Sequence, residues 1–265
     1  MAKKDVYDII DKKFDRKTKK ESLIVDADRF KTYDEVFDQQ NLDHIFKIMK
    51  RGDIETIECP ISTGKEANVY RANTSDGEAA VKIYRTSTAT FRSFLEYIEG
   101  DRRFTRINRS SRGVIYTWAR KEHLNLSTLY DAGIRVPKPR SYFRNLLVMD
   151  YISYEGKPAP SIRILDADDD EWEEMWDFVI NSVRKMFMEC SLVHADLSEY
   201  NILYNGDPVI IDLGQAVEYH HPMAFQFLGR DLKVISTFFL KKGISTARED
   251  SDRLFKELSD HVAED

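Results

Sequence analysis

Asn205-Gly206 is the dipeptide that most narrows what this chain can fold into. It lies between two short β-type runs, Asn201–Tyr204 and Val209–Asp212, and an Asn-Gly pair in that place specifies a tight antiparallel hairpin. A hairpin sets its strands side by side, so Asn201 and Asp212, at its open end, are brought toward one point. Asp196 stands five residues before Asn201, in His194-Ala-Asp-Leu-Ser-Glu-Tyr-Asn201. The order H-x-D-x-x-x-x-N and then I-D-x-G therefore gathers two carboxylates and an amide oxygen at one end of a ribbon. Asn201 and Asp212 are hard oxygen ligands of the kind Mg²⁺ takes. Asp196 is placed to accept or orient a hydroxyl proton. The set predicts phosphoryl transfer, in which positioning and charge neutralisation dominate. Taken singly, each residue has a plainer reading as a loop residue, a turn former or a strand-end cap. His194 is read as structural, because the carboxylate already fills the base role.

Such a site needs a cation for the phosphates. Lys82 lies in Ala79-Ala-Val-Lys-Ile-Tyr84, where Ala79, Val81 and Ile83 face one way and Ala80 and Lys82 the other. A small residue beside the lysine leaves room for an adenine ring. Glu122 falls four residues from both Trp118 and Leu126, on the apolar stripe of a helix expected over 114–130. A charge there needs a buried partner, and Lys82 is the natural one, with Glu96 and Glu99 as competitors. Ser62-Thr-Gly-Lys-Glu-Ala67 lacks the leading glycine and the Ser/Thr of a P-loop. Its backbone, the Ser62 and Thr63 hydroxyls, Gly64 and the Lys65 charge could still cover phosphates.

The remaining pattern is mixed. A helical spacing over 32–50 ends at Gly52, and β-type runs follow at Ile57–Ser62, Ala67–Ala72 and Ala79–Tyr84, the last two joined through Asp76-Gly77. Val136-Pro-Lys-Pro and Leu146–Ile152 read as further short strands, and 171–190, 222–240 and 246–261 as helices. The expectation is an α+β, two-lobed chain: an N-terminal basic segment and helical extension over 1–52, an antiparallel N-lobe over 53–149, and a hinge with a helical C-lobe over 150–265. Net charge is −6, yet residues 1–20 hold eight Lys/Arg against four Asp, and 166–177 hold eight acids and no base. Residues 85–112 are rich in arginine, with Phe91, Phe94, Tyr97 and Phe104 interleaved. Cys59 and Cys190 are isolated, which speaks against a disulfide scaffold or a structural zinc site. The apolar runs fall well short of the roughly 18 residues of a membrane span, and the start is polar. A soluble, cytoplasmic protein without a membrane partner is expected.

Three ordered segments, Ser62-Thr-Gly-Lys-Glu-Ala67, His194–Asn201 and Ile211-Asp-Leu-Gly-Gln215, resemble the signatures of the RIO family of atypical serine/threonine protein kinases. The first and third are closer to its RIO-one subfamily, and the chain is archaeal in size. The resemblance implies a protein-kinase-like fold with a trimmed C-lobe, using ATP and Mg²⁺, with Mn²⁺ as a possible substitute. It implies Asp196 as catalytic base, Asn201 and Asp212 as metal ligands, Lys82 on the phosphates and Glu122 as its partner. Met149 would be the gatekeeper, the backbone of Asp150 and Ile152 would bond adenine, and Val69, Ala80, Leu203 and Ile211 would sandwich the ring. Asp212 is further implied as the acceptor of a transient phosphate, hence ATPase activity. Leu213 replaces the Phe of D-F-G, no A-P-E follows, and 85–112 resembles a flexible loop over the active site. The family's work in small-subunit maturation implies a pre-small ribosomal subunit partner, with ribosomal RNA met through 85–112. Two alternatives stand beside a protein kinase: an ATP-driven assembly switch without protein substrate, and a small-molecule kinase of the aminoglycoside or choline type.

Overall fold

The computed structural model describes residues 39–86 and 91–264. The basic segment 1–20 and the first part of the helix expected over 32–50 lie outside them. Within them that helix is α1, Gln39–Arg51, which buries Leu42, Ile45 and Ile48. It stops at Gly52, whose φ of +83° is a conformation that glycine adopts without a Cβ clash.

Five strands follow: β1 (Thr56–Thr63), β2 (Ala67–Thr74), β3 (Gly77–Tyr84), β4 (Pro139–Phe143) and β5 (Leu146–Asp150). They form one antiparallel sheet in the order β1-β2-β3-β5-β4. Side-chain alternation divides its two faces as expected. Ala79, Val81 and Ile83 join Tyr70, Ala72, Leu146 and Val148 in a core closed by Ile45, Ile48 and Ile54. Val69 pairs with Lys82 and Ala80 with Met149, which puts these four on the opposite face. The strand expected at Val136-Pro-Lys-Pro begins only at Pro139. Prolines lack the N–H that a ladder needs, and Pro139 is tolerated because β4 is an edge strand. Pro60 uses the same licence on the other edge, in β1, with a register shift on either side of it. β5 ends at Asp150, two residues before the expected limit.

Residues 85–112, expected as a flexible loop, instead contain helix α2 over Phe91–Ile98 and a 3₁₀ turn over Arg102–Phe104. Phe94, Ile98 and Phe104 are buried, and Phe94 stacks on Trp118 with ring centroids 4.1 Å apart. Burial of this apolar stripe makes the segment part of the core. It also leaves Phe94 and Phe104 unable to stack on a partner.

Helix α3 (Ser111–Asp131) is capped by Ser110, whose hydroxyl accepts from the Gly113 N–H at 3.1 Å. After the pair β6–β7 (Ser153–Tyr154 with Lys157–Pro158), α4 (Asp169–Met188) opens with a capping box between Asp168 and Glu171. Its first turn holds Asp169, Asp170 and Glu171, so part of the acidic run complements the positive end of the helix dipole. β8 (Leu192–Val193) pairs with β11 (Val217–Glu218), and β9 (Ile202–Tyr204) with β10 (Pro208–Ile210) around the expected Asn-Gly turn. Helices α5 (Ala224–Lys241) and α6 (Ala247–Glu264) close the second core with α4, through Trp172, Trp176, Phe239 and Leu258 among others.

Candidate active site

Two elements meet at Lys82. β3 carries it and α3 brings Glu122 against it, with Nζ 2.9 Å from Glu122 Oε1 and 2.9 Å from Asp212 Oδ1. Lys82 is 8% exposed and Glu122 1%, so this is a buried ion pair opening onto a cleft. Burial pulls the Lys82 ammonium down, but the two carboxylates outweigh it and hold its pKa above the ordinary lysine value. Burial raises the Glu122 carboxyl and Lys82 opposes that rise. Neither rival partner competes: Glu99 pairs with Arg109 at 3.1 Å on the surface, and Glu96 is exposed.

The hairpin β9–β10 delivers the other three residues. The Ile211 N–H donates to Asn201 O at 2.9 Å, which extends the ribbon past β10 and fixes Asn201 beside the start of the Asp212 segment. Asp212 lies beyond the strand rather than ending it, with φ +62°. Cleft burial raises its pKa, and the Lys82 charge more than offsets this, so the carboxyl stays below its usual value. Asn201 Nδ2 donates to Asp196 O at 2.9 Å and reaches Asp196 Oδ2 at 3.3 Å. Burial, with Asp212 next, raises the Asp196 carboxyl. Buried His194 has its pKa pulled down to about 4. Its Nε2–H donates to Ile211 O at 3.1 Å while Nδ1 accepts from the Asp196 N–H at 3.3 Å, a neutral splint between the two halves of the site, as expected.

Several residues of this site are given no role by the sequence patterns, and two of them, Arg230 and Asp231, lie outside every motif. Ala195 sits at φ +65°; its N–H donates to Asp231 Oδ2 at 2.7 Å and its carbonyl accepts from Arg230. Asp231 lies on the apolar stripe of α5, four residues from Phe227 and Ile235, the same signal that singled out Glu122. Glu66 faces the cleft, its carboxyl raised by burial and then by Asp212, with Asp196 adding to it. Gln215 Nε2 reaches Asp196 Oδ2 at 3.4 Å.

Ser62 and Thr63 are the exposed last residues of β1, paired with Val69 and Asn68, and Gly64 and Lys65 lead the exposed turn to β2, closed by Gly64 N–H to Ala67 O at 3.0 Å. The Asp150 N–H is taken by Lys138 O at 2.9 Å, so that residue has only its carbonyl to offer a ring. Ile152 gives its carbonyl to the Ala159 N–H, and its own N–H has no partner among the described residues. Val69, Met149, Leu203 and Ile211 are half-buried apolar groups, and Ala80 is buried beside Met149.

A hard divalent cation fits this donor set. The Asn201 amide spends its N–H₂ on Asp196 and leaves its oxygen without a donor among the described residues, and Asp212 engages Lys82 through one oxygen. After burial, Asp212 raises the carboxyls of both Glu66 and Asp196, a charge cost that an added cation relieves. Gly214 follows at close quarters: a Cβ there would come within 2.9 Å of Trp118 Nε1. Gly214→Ala is therefore expected to cost about 1–3 kcal/mol. Thermal melting reads this, and an unchanged transition would show that the indole gives way freely.

A sheet-and-helix N-lobe, a helical second lobe and a lysine–glutamate pair facing Asp, Asn and Asp across the cleft define the protein-kinase class. The comparisons agree and narrow it. A family profile described as the RIO domain matches residues 68–252. The RIO-type serine/threonine-protein kinase Rio1 of Haloferax volcanii is 40% identical over 242 residues, 91% of this chain and 81% of that protein. The Rio1 of Thermoplasma acidophilum is 44% identical over 178 residues, 67% of this chain and 93% of its own length. The human serine/threonine-protein kinase RIO1 is 40% identical over 229 residues, 84% of this chain but 40% of the relative. Among solved structures, the Rio2 kinase–ADP/Mg²⁺–phosphoaspartate complex from Chaetomium thermophilum has TM-score 0.60 at 24% identity. It covers 78% of this chain and 65% of that one, and shares its fold. This chain belongs to the RIO family, and it is a kinase of the Rio1 type.

Proposed function

We propose that the chain is an ATP- and Mg²⁺-dependent serine/threonine protein kinase that also hydrolyses ATP, acting in the cytoplasm on the maturing small ribosomal subunit. The observation that carries this reading is the Lys82–Glu122 pair aimed at Asp212 across the cleft. Lys82 would hold the α- and β-phosphates, and Glu122 keeps its ammonium in place. Asn201 and Asp212 would hold the cation, which when bound neutralises charge on the phosphates. Asp196 orients the attacking hydroxyl and takes its proton, a role suited by a carboxyl raised toward working pH. The Ile152 N–H, without a partner among the described residues, and the Asp150 carbonyl would be the hinge groups for adenine, and Val69, Ala80, Met149, Leu203 and Ile211 its apolar walls. Ser62–Lys65 would cover the phosphates from the end of β1 and the turn that follows it.

A ribosomal RNA contact through 85–112 now rests on charge alone. An open hollow of about 810 Å³ is lined by Arg102, Arg106 and Arg109 together with Glu99 and Asp101. One observation favours the alternative of an ATP-driven switch without a protein substrate. Between Gln215 and α5 the chain makes only the short strand β11 and a turn, too little to hold an extended peptide. In that reading the Asp212 carboxylate would take the γ-phosphoryl group as its bond to ADP breaks and ADP leaves, and water would later hydrolyse the acyl phosphate.

The test follows γ-labelled ATP in the presence of Mg²⁺, with and without small ribosomal subunits, and with Asp196→Ala as control. Label on Ser/Thr that disappears in the control supports the protein kinase. Subunit-stimulated free phosphate with hydroxylamine-labile label and little on Ser/Thr supports the switch. Failure to turn over ATP at all would remove both.

A further inference from the structure

Helix α3 does more than supply Glu122. One residue earlier and three residues later, Lys121 and Asn125 are fully buried and turned to the backbone that follows Asp212. Lys121 Nζ donates to Gly214 O at 2.9 Å and to Ala216 O. Asn125 Nδ2 donates to Leu213 O at 2.8 Å and to Ala216 O at 3.0 Å. Four donations thus converge on three carbonyls within a segment of four residues.

The arrangement is an expensive way to satisfy carbonyls. A buried ammonium with no carboxylate in contact carries a desolvation cost, and burial pulls the Lys121 pKa down to about 7, with distant Asp101 opposing and Arg103 assisting. A strand or helix partner would have served the same carbonyls at less cost. What sets the segment apart is the residue before it. Asp212 holds φ +62°, a left-handed conformation that aspartate visits only occasionally. The donations from α3 fix the backbone that follows it.

The clamp has an outer handle. Asn125 Oδ1 accepts from Arg103 Nη1 at 2.8 Å, which fixes the amide so that its N–H₂ faces the carbonyls. Arg103 in turn is gripped by Asp101, Nε to Oδ1 at 2.9 Å and Nη2 to Oδ2 at 2.7 Å. Glu218 Oε1 lies 3.8 Å away. The turn at 101–104 is thereby joined through two side chains to the backbone that sets Asp212.

We propose that Lys121 and Asn125 are positioning residues for phosphoryl transfer, clamping Leu213–Ala216 so that Asp212 stays set against Lys82, and that Arg103 orients the clamp through Asn125. This rests on the phosphotransfer reading above. Displacement of a reacting group by about 1 Å can cost on the order of 10²-fold in rate, so the clamp acts on turnover more than on nucleotide capture.

The experiment compares the full chain with Arg103→Gln, Asn125→Ala and the double variant. It reads kcat and KM for Mg·ATP, ADP affinity with and without Mg²⁺, and thermal melting. Arg103→Gln is expected to lower kcat about 10-fold and Asn125→Ala about 10²-fold. Both should shrink the gain in ADP affinity on adding Mg²⁺ several-fold and leave Mg²⁺-free ADP affinity unchanged. The double variant should be no slower than Asn125→Ala, because Arg103 acts through that amide. Variants that melt lower while keeping kcat and the Mg²⁺ gain would reduce the network to fold support and overturn the proposal, as would additive losses for the Arg103 role. Should Asn125→Ala not fold, Arg103→Gln decides on the same readouts. An unmutated protein inert toward ATP removes the functional reading and this one with it. An active parent matched by its variants removes this one alone.

Discussion

Asp212→Ala is expected to lower kcat for ATP turnover at least about 10³-fold, on the scale of losing a preorganised charge at the reacting centre, while the protein melts close to the unmutated one. The two halves of that expectation come from one geometry. Asp196, the other carboxylate beside Asn201, is engaged by that amide, while in the proposed site Asp212 joins the cation position to Lys82. Yet its removal does not strand a charge, because Lys82 keeps Glu122 at 2.9 Å. Alanine holds the left-handed φ of +62° at position 212 less readily than aspartate, a cost of about 1 kcal/mol that is small beside that retained pair. Turnover by steady-state phosphate release and melting by calorimetry check the pair of outcomes. Retained turnover would take the site assignment down, and collapse of the fold would show that Lys82 depends on Asp212 more than on Glu122.

Lys82→Met inverts the balance, losing stability as well as activity. Glu122, 1% exposed, then stands in the core without its cation, and breaking a buried pair from one side costs about 3–5 kcal/mol. One of its oxygens, Oε2, already lacks a partner among the described residues. The loss carries a sign in pH. Burial raises the Glu122 carboxyl above 4.5 even with Lys82 present, and higher without it. A carboxyl raised in the folded state keeps its proton there and gives it up on unfolding, so stability falls as pH rises from the unfolded value through the folded one. The variant should therefore approach the unmutated protein near pH 5 and lose ground through neutrality. Adding Glu122→Gln should restore stability at neutral pH without restoring turnover. A pH-independent deficit would show that packing around the new methionine, not the stranded carboxylate, sets the cost.

The residues of the candidate site were legible because each is tied to a local pattern. The Asn-Gly turn, the spacing of Asp196 and Asn201, and the alternation around Lys82 are readable a few residues at a time. Glu122 needed one further step, a charge on an apolar stripe. The same step reaches Asp231, which holds the Ala195 N–H, but its contact crosses from α5 to a loop and no spacing rule joins the two. Lys121, Asn125 and Arg230 act on main-chain carbonyls, and a carbonyl has no letter in the sequence. The segment 85–112 misled for a different reason. Phe91, Phe94, Leu95 and Ile98 have helical spacing, but the arginines around them draw attention to a surface role. Side chains on one short helix can serve solvent and core at once, and burial of Phe94 against Trp118 decided its conformation.

Around Lys82 the resting cleft sets one ammonium against Glu122 and Asp212, with Glu66 and Asp196 nearby. Acid outnumbers base at the place where the proposed function would seat a polyphosphate. A bare anion approaching it meets repulsion, whereas one already escorted by a divalent ion brings the missing charge with it. On the proposed reading the pocket would therefore screen its visitors by net charge before shape is consulted, favouring a nucleotide that arrives with its metal.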